Sequence, residues 1–401
     1  MPTSHCQLLI AGAGPVGLSL AAALQKSGVT VTLADARAAG ACLEDRRVLA
    51  LSHGSKQILQ QLGAWSHIEA TGAATPIRQI HVSQQGGLGR TRIDADELRV
   101  PALGYVVPAS EVSRALLNVL PADAVQYGTR VVEAHEGAAN AGEDGDEGVK
   151  VTLQTTAGVT HQHVDVLAWC EGTIQPASAT SDASQTVREH DYEQHALIGK
   201  ATPIGGHRHI AYERFTPHGP IALLPMQDGY SVVFTCPSDQ LGFYTSLSEA
   251  EMISLLEREF NGRIHFESVS PLISFPLGLR VRRERTSAHQ VWLGNAAQTL
   301  HPVAGQGFNL ALRDVMELAQ AWRSAGHTTQ SIPNVLAQFA KQRQLDRAGT
   351  IGFTDMLVRL FSNANPLLKH ARGAGLLALD LCPPARHFVA RRMMFGARAW
   401  P

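Results

Sequence analysis

The pattern of apolar positions at the start of the chain predicts a βαβ unit. A continuous apolar run at residues 8–10 predicts a short buried strand. Pro15 suits the first turn of the helix that follows, where its missing N–H costs nothing, and Gly28 stands where that helix should stop. Valine and leucine then alternate with threonine over residues 29–33, which predicts a second strand ending at Asp35.

Later segments differ in the spacing of their apolar residues. Residues 195–274 favour antiparallel strands, and Asp228-Gly229 between the apolar runs 221–225 and 230–235 predicts a hairpin. Residues 308–322 return to a 4-3-4-3 apolar spacing, which predicts a helix, and the chain beyond Lys341 is predicted to be mostly helical. Residues 133–147 hold six acids and no aromatic residue, which predicts a solvated loop at a hairpin tip.

Composition narrows the class of protein. The 401 residues carry a net charge of −1, which argues against a nucleic-acid partner. Five cysteines without patterned spacing favour a reduced, cytoplasmic compartment and no disulfide framework. Residues 8–24 are uncharged, but no basic residue precedes them and three glycines interrupt them, so we interpret them as strand, turn and helix rather than as a signal peptide.

The first chemical motif is a glycine turn inside the βαβ unit. In Gly12-x-Gly14-x-x-Gly17 the first glycine permits a tight turn, the second lets the backbone approach a pyrophosphate, and the third allows close helix packing. The helix N-terminus faces the phosphates, and Asp35 would accept a ribose hydroxyl. This combination predicts dinucleotide binding rather than a fortuitous glycine-rich turn, but it does not separate NAD from FAD.

A second motif, nearly 280 residues later, favours a flavin. Residues 291–310 are predicted as a strand, a loop and a glycine-rich entry into a helix. The positive N-terminal end of that helix suits the anionic edge of a reduced flavin. Gly305 and Gly307 leave no Cβ in the way of a flat ring.

Together with residues 45–52 (Asp-Arg-Arg-Val-Leu-Ala-Leu-Ser), the two motifs resemble the class A FAD-dependent aromatic hydroxylases. Residues 294–310 are similar, more narrowly, to the 2-octaprenyl-6-methoxyphenol hydroxylases of ubiquinone biosynthesis. Residues 104–107, 213–226 and 342–347 carry the same resemblance, which covers essentially the whole chain.

The resemblance implies a set of cofactor-binding residues. The ADP half of FAD would be held by the first motif, Arg47 would lie near the flavin and the adenylate phosphates, and Asn295 stands where the wider family has an Asp that contacts the ribitol chain. Glu171-Gly172 replaces the family's Asp-Gly, and Ala109 replaces a Gln, so neither is carried as a binding residue. The implied cofactor-binding residues are Gly12, Gly14, Gly17, Asp35, Arg47, Gly294, Asn295, Gly305, Gln306, Gly307 and Asn309.

The resemblance also implies the reaction. NAD(P)H would reduce the flavin, O₂ would form a flavin hydroperoxide, and one oxygen atom would pass to the ring of a polyprenylated phenol. No catalytic side chain is identified. Three alternatives stay open: a related flavoprotein that reduces prenyl double bonds or acts on another apolar substrate, a flavin-free NAD dehydrogenase, and a flavin-free lipid-binding or assembly protein.

The histidines do not predict a metal site. His161-x-His163 and His207-x-His209 lack a further ligand at a recognisable spacing and are predicted to lie on the solvated surface. His301 lies inside the second motif, where a structural or flavin-neighbouring role is favoured over a general acid.

The predicted fold class is α/β with mixed α+β character. A Rossmann-type FAD-binding domain is assembled from discontinuous segments, beside an antiparallel-sheet substrate domain and a helical C-terminal region. The predicted boundaries are 1–75, 100–180 and 276–345 for the FAD-binding domain, 76–99 and 181–275 for the substrate domain, and 346–401 for the helical region.

The C-terminal tail admits two interpretations. Residues 366–401 carry six basic residues and one acid among leucines and methionines. Such a tail either lies on an anionic membrane surface at the inner face, through Arg391, Arg392 and Arg398, or covers the core and makes an oligomer contact. The expected partners are a polyprenyl phenol, O₂, and either the membrane or a lipid-carrying protein.

Overall fold

The structure is a computed structural model that describes residues 6–25, 27–87, 89–137, 147–174, 187–325, 332–361 and 365–399. These residues form β-strands and α-helices joined by turns and short 3₁₀ segments. The described strands are β1 (Gln7–Ala11), β2 (Thr30–Asp35), β3 (Val48–Ser52), β4 (Thr75–Ile77), β5 (Gln79–Gln84), β6 (Arg90–Asp94), β7 (Gly104–Pro108), β8 (Val125–Tyr127), β9 (Arg130–Glu136), β10 (Val149–Thr155), β11 (Gly158–Val164), β12 (Val166–Trp169), β13 (Val187–Pro203), β14 (Ile210–Thr216), β15 (Gly219–Met226), β16 (Gly229–Pro237), β17 (Phe266–Val269), β18 (Ile273–Arg282), β19 (Gln290–Trp292) and β20 (Gln298–Thr299).

The described helices fall mainly at the two ends of the chain. They are α1 (Pro15–Leu24), α2 (His53–Gln61), α3 (Trp65–Ala70), α4 (Ala109–Val119), α5 (Leu241–Ser246), α6 (Glu249–Glu259), α7 (Gln306–Ser324), α8 (Ile332–Phe361), α9 (Pro366–Leu381) and α10 (Pro383–Phe395). The helix predicted over residues 308–322 is confirmed as α7, and the predicted helical region beyond Lys341 is confirmed as α8 to α10.

A five-stranded parallel sheet forms the first layer, in the order β19-β12-β1-β2-β8. Both of its faces are covered, as continuous apolar strands require. On one face, helices α1, α4 and α7 pack against Leu8 and Ile10; on the other, Leu9 and Ala11 contact the antiparallel sheet β9–β11. The predicted βαβ opening and Rossmann-type architecture are therefore confirmed.

A second, larger sheet lies beside the first, in the order β20-β18-β13-β16-β15-β14-β5-β6, with β17 paired to β13. The antiparallel region predicted over residues 195–274 begins earlier than expected, at Val187, and takes in β5 and β6 from residues 79–94. Two features were not predicted: β14 and β5 run parallel, and helices α5 and α6 interrupt the strands. The third sheet, β3-β7-β4, has three strands.

The predicted hairpin is confirmed, but its turn is displaced by one residue. Gly229 pairs with Met226, so the turn residues are Gln227 and Asp228, and Gln227 has the positive φ of 56°. Gly229 instead allows two strands to approach closely, because a Cβ there would lie 2.7 Å from the Ala201 carbonyl oxygen of the neighbouring strand.

The acidic segment predicted as a loop over residues 133–147 begins inside a strand, because residues 133–136 belong to β9 and pair with β10. The antiparallel pairing of β9 with β10 agrees with the predicted hairpin. Residues 138–146, which make up most of this segment, lie outside the described residues. The division of the chain into domains stays a prediction.

The C-terminal helices cover the core. Ala390 and Met394 of α10 are buried in an apolar cluster with Ile93 and Leu98. Arg386 of the same helix donates to the Glu97 carboxylate at 2.7 Å. This is one of the two alternatives for the tail. Within the described ranges, no helix combines the length and the hydropathy needed to cross a bilayer.

Of the three arginines considered for lipid contact, Arg392 lies instead beside a buried carboxylate. Its Nη1 is 3.9 Å from Asp346 Oδ1, whereas Arg391 is exposed. The Arg398 side chain lies outside the described part of the chain.

A buried network of ion pairs joins α7 to α8. Arg343 donates to Asp314 at 2.6 Å and to Asp346 at 2.5 Å, and Arg313 donates to Asp346 at 2.8 Å. Arg285 approaches Asp314 to 3.3 Å. Both carboxylates are at most 2% exposed, so each depends on these partners for its charge.

Candidate functional site

The glycine turn after β1 is shaped by two close contacts and one open position. Gly12 has a φ of +105° and a Cβ there would lie 2.9 Å from the Cys170 carbonyl oxygen; a Cβ at Gly17 would lie 1.9 Å from the Gly12 carbonyl oxygen. Gly14 differs, because a Cβ there would meet no atom within 4 Å. The chain therefore needs Gly12 and Gly17 for its own packing, whereas Gly14 faces open space at the N-terminus of α1.

Asp35, at the end of β2, holds this turn in place. Its Oδ2 accepts the Ala13 N–H at 2.7 Å, and both of its oxygens accept from Arg37, which donates its backbone N–H and the Nε and Nη2 N–H groups of its guanidinium. Burial would raise the pKa of the Asp35 carboxyl, but these hydrogen bonds outweigh it and hold the pKa below its usual value. A ribose hydroxyl that bonds Asp35 would have to replace a donor of Arg37, whose side chain is half exposed. Arg37 was not among the site residues predicted from the sequence.

The second motif packs directly on the first. Gly294 has a φ of +59°, and a Cβ there would lie 2.9 Å from Val16 Cγ2 at the start of α1. Asn295 donates through Nδ2 to the Gly172 carbonyl oxygen at 3.3 Å. Two segments nearly 280 residues apart in sequence are thus brought together at the carboxyl end of the parallel sheet, where ligands of such sheets bind.

The N-terminus of α7 completes this edge. Gly305 precedes the helix with a φ of +58°, and a Cβ there would lie 2.9 Å from Ala50 Cβ of β3. Gln306 is buried, while a Cβ at Gly307 would meet no atom within 4 Å. Gly14 immediately precedes α1 and Gly307 lies in the first turn of α7, so both open glycines are at helix N-termini, where backbone N–H groups and the helix dipole favour negative charge.

Asn309 ties the start of α7 to β3 and α2. Its Oδ1 accepts from the Ser52 N–H at 2.8 Å and from the Ser55 hydroxyl at 2.6 Å, and its Nδ2 donates to the carbonyl oxygens of Ala50 and Gly305. These contacts occupy both ends of the amide, so Asn309 shapes the site through the protein itself.

Arg47 immediately precedes β3. Its guanidinium makes a forked pair with Asp45, with the shortest distance 2.6 Å, and its side chain is about half exposed. The hydrogen bond with Asp45 raises the pKa of Arg47, so this charge is permanent. The carbonyl oxygen of Arg47 accepts the N–H of Ala109, which begins α4.

His301 is neutral at physiological pH. It is 1% exposed, its Nδ1 accepts the Val303 N–H at 3.1 Å, and its ring meets Tyr192 edge-on. Burial lowers the pKa of His301 to about 4. The structure therefore supports a structural role over a general acid.

The two histidine pairs differ in their exposure to solvent. His161 and His163 are exposed on β11, as predicted. The prediction is wrong for His207, which is buried and whose Nε2 bonds the Gln227 carbonyl oxygen in the hairpin turn at 2.7 Å. Within the described ranges, no group of three or more His, Cys, Asp or Glu side chains could hold a metal ion.

An apolar cavity of about 490 Å³ lies next to the second motif. Its walls are the larger sheet, the segment from Pro302 to Gly305 and helices α8 to α10. Most of the lining is aliphatic or aromatic; the polar exceptions include Thr91, Glu213 and Arg372. This cavity was not predicted from the sequence, because it is formed by side chains as far apart in the chain as Ala50 and Met393.

The parallel sheet, the glycine turn and the second glycine motif together define a dinucleotide-binding protein of the flavin type. A family model described as "FAD binding domain" matches residues 5–345. The chain belongs to this family, and its cofactor is FAD.

Named relatives extend the match to nearly the whole chain. The chain is similar to a protein named "Ubiquinone hydroxylase UbiL" of Rhodospirillum rubrum, with 29% identity over 98% of this chain and 90% of the relative. It is also similar to the "3-demethoxyubiquinol 3-hydroxylase" of Escherichia coli, with 27% identity over 95% and 96% of the two chains. The predicted resemblance to class A FAD hydroxylases of ubiquinone biosynthesis is confirmed.

Solved structures support the fold. The crystal structure of the p-nitrophenol 4-monooxygenase PnpA from Pseudomonas putida DLL-E4 superposes with a TM-score of 0.76, at 16% identity, and the match covers 98% of this chain and 99% of that one. At this identity the likeness shows the shared fold alone.

Proposed function

We propose that this chain is an FAD-dependent monooxygenase that hydroxylates the aromatic ring of a polyprenylated phenol in ubiquinone biosynthesis. NAD(P)H is the electron donor and O₂ the oxygen source. The similarity to proteins named as ubiquinone hydroxylases supports the pathway. The observation that carries the proposal is the apolar cavity that opens onto the flavin motif.

The described residues fit FAD. Gly14 and Gly307 leave open space at two helix N-termini, which suits a pyrophosphate at α1 and a flat, electron-rich ring at α7. We propose that Gly12, Gly14, Gly17 and Asp35 shape the ADP site. The flavin side would be formed by Arg47, Gly294, Asn295, Gly305, Gln306, Gly307 and Asn309. When bound, FAD supplies the activation of O₂ that no amino-acid side chain provides.

The protein's own contribution is positioning and the exclusion of water. Gly305 and Pro302 line the cavity together with Ala50, so a ring held there lies beside the predicted flavin position. Phe215 and Phe361, stacked with centroids 3.9 Å apart, form part of its apolar wall. Such a lining excludes water from the reacting atoms and accepts a hydrocarbon substituent.

The substrate's solubility constrains its delivery. Each buried CH₂ favours an apolar phase by about 0.8 kcal/mol, so a polyprenyl chain does not diffuse freely through water. Leu377, Leu381 and Phe388 are 46–73% exposed on the helices that wall the cavity. We propose that the enzyme meets its substrate at a membrane surface or receives it from a lipid-carrying protein.

Deleting the gene in its source cells should cause a ubiquinone precursor that lacks one ring oxygen to accumulate, because the substrate of the enzyme is no longer consumed. Mass spectrometry of the extracted lipids measures this directly. Restoring the wild-type gene should remove the precursor, whereas restoring the Gly14→Val variant should not.

Two outcomes would contradict the proposal. An unchanged ubiquinone profile would show that the chain acts elsewhere. A precursor that differs in the double bonds of its side chain, with its ring oxygens complete, would identify a prenyl reductase instead.

A further inference from the structure

The segment that contains Asn295 is a short turn closed by its own backbone. The Ala297 N–H donates to the Gly294 carbonyl oxygen at 3.0 Å, and the Ala297 carbonyl oxygen accepts the N–H of Arg282, the last residue of β18, at 2.9 Å. Inside the turn, Asn295 donates to the Gly172 carbonyl oxygen at 3.3 Å. The conformation of the turn therefore decides where the Asn295 side chain lies.

One side chain from a distant helix supports the end of this turn. Arg347 of α8 donates through Nε to Gln298 Oε1 at 2.8 Å. Its Nη2 donates to the carbonyl oxygens of Arg282 at 2.6 Å and of Ala297 at 3.3 Å. The three acceptors belong to the end of β18, to the turn and to the residue that follows the turn. A planar guanidinium presents its donors in fixed directions, so these contacts hold the three segments in one arrangement.

Arg347 has no carboxylate partner. Among the described ion pairs none includes Arg347, whereas Arg343 on the same helix pairs with both Asp314 and Asp346. Burial, with a smaller effect of the neighbouring Arg285, lowers the pKa of Arg347 to about 10, so the group is charged at neutral pH. A partly buried cation without a counter-charge loses hydration that no carboxylate replaces. Arg347 therefore contributes little to the stability of the protein alone, and its hydrogen bonds serve to fix the turn.

The guanidinium of Arg347 can be reached from solvent on the side away from the turn. A cavity of about 550 Å³ lies between α8 and residues 283–286, and Arg347 and Lys341 are among its lining residues. Lys341 and Arg283 are exposed, so this cavity lies at the protein surface. A small solute can therefore enter the position that the Arg347 side chain occupies.

We propose that Arg347 is a positioning residue for the cofactor, which holds the turn from Gly294 to Gln298 in the conformation in which Asn295 contacts the flavin side of FAD. Arg347 acts through the Ala297 carbonyl oxygen and the Gln298 side chain. Without it the turn samples several conformations, and FAD affinity falls by the fraction of molecules that are in the wrong one. This inference rests on the proposed place of Asn295 at the flavin side.

The first test is the Arg347→Ala variant. Its FAD dissociation constant is measured by diluting the FAD-loaded protein and recording the flavin fluorescence that appears on release. We expect FAD to bind about 10- to 100-fold more weakly than in the wild type, the range for lost hydrogen bonds to a charged group. The melting temperature of the protein stripped of FAD should change by less than about 3 °C, because no ion pair is lost. A merely structural residue would lower both quantities.

Chemical rescue separates the directed donors of Arg347 from its charge. Methylguanidinium should enter the surface cavity of Arg347→Ala and restore most of the FAD affinity, whereas methylammonium, which has the same charge, should not. Arg347→Lys keeps the charge without the planar donors and should bind FAD nearly as weakly as Arg347→Ala. Lys341→Ala is the matched control, because it removes a charge from the same helix and the same cavity without touching the turn, and should keep wild-type FAD affinity.

Three results would overturn the inference. They are unchanged FAD affinity in Arg347→Ala, equal rescue by methylammonium, and a stripped Arg347→Ala protein that is unfolded or melts well below the wild type. In each case a wild-type enzyme that still loads FAD and oxygenates the ring leaves the proposed function intact. If the wild type loads FAD but oxygenates no ring, the proposed function fails, and the role of Arg347 in FAD binding is decided separately by the dissociation constants.

Discussion

Replacing Gly14 with valine is expected to remove bound FAD while the protein stays folded. Gly14 has a φ of −79°, which any residue adopts, and a Cβ there would meet no protein atom within 4 Å. The valine side chain would therefore collide only with the ligand that approaches the turn. Loss of close backbone contact with the pyrophosphate should weaken FAD binding on the order of 100-fold or more.

The measurement is flavin absorbance per protein after purification, with circular dichroism to monitor the fold. Gly242→Val is a matched control, because Gly242 also faces open space but lies in α5, outside the turn and the cavity. Gly17→Ala should behave differently from both and prevent folding, since its Cβ would overlap the Gly12 carbonyl oxygen. Normal flavin content in Gly14→Val would show that this turn does not hold the cofactor.

Replacing Asp346 with asparagine is expected to lower the free energy of unfolding by about 3–5 kcal/mol, because it removes the counter-charge of the largely buried Arg313 and one of the two carboxylates that pair with Arg343. Asp346 accepts from Arg313 and Arg343, and also from the Ala397 N–H at the end of the chain. The variant should therefore loosen the packing of α7 against α8 and of the C-terminal segment.

Denaturant unfolding at two pH values measures this effect. Burial alone would raise the pKa of Asp346, but Arg313 and Arg343 lower it to about 2. Its stabilising contribution is present above the unfolded pKa near 3.8 and disappears as the pH falls towards 2, so the two proteins should converge in acid. Glu189→Gln breaks an exposed pair with Arg280 and should cost less than about 1 kcal/mol. Equal losses in both variants would contradict the account.

The fold and the cofactor turn could be predicted from sequence because local geometry determines them. Within one strand, turn and helix, Gly12 is required by its φ of +105° and Gly17 by its contact with the Gly12 carbonyl oxygen. The apolar run at residues 8–10 already indicates a strand buried on both faces. The second motif could also be predicted, because its glycines shape the backbone turn into α7 locally.

The substrate cavity could not be predicted, because it depends on register between distant strands. Glu213 was noted only within a stretch that carries the family resemblance. The alternation of residues along β14 does place Glu213 on the same face as Ala211 and Phe215, which line the cavity. The pairing of Glu213 with Val82 and of Val82 with Thr91 requires the parallel contact of β14 and β5, which no local pattern predicts.

Two charged residues have partners that the sequence did not predict. Asp35 is predicted to contact a ribose, and Arg37, two residues later, also donates to its carboxylate. Arg392 was considered for lipid contact, but the fold brings it to Asp346 on another helix. Arg37 is a local partner of Asp35, whereas the pairing of Arg392 with Asp346 depends on tertiary structure.

The central claim is that this protein inserts an oxygen atom from O₂ into a polyprenylated aromatic ring. The most direct test supplies the purified FAD-loaded enzyme with NAD(P)H, a short-chain prenylated ring substrate and oxygen-18 gas, and weighs the product by mass spectrometry. The account predicts one oxygen-18 atom per product molecule, attached to the ring, with no such product from the Gly14→Val variant. A product whose new oxygen comes from water, or NAD(P)H oxidation that never yields an oxygenated ring, would contradict it.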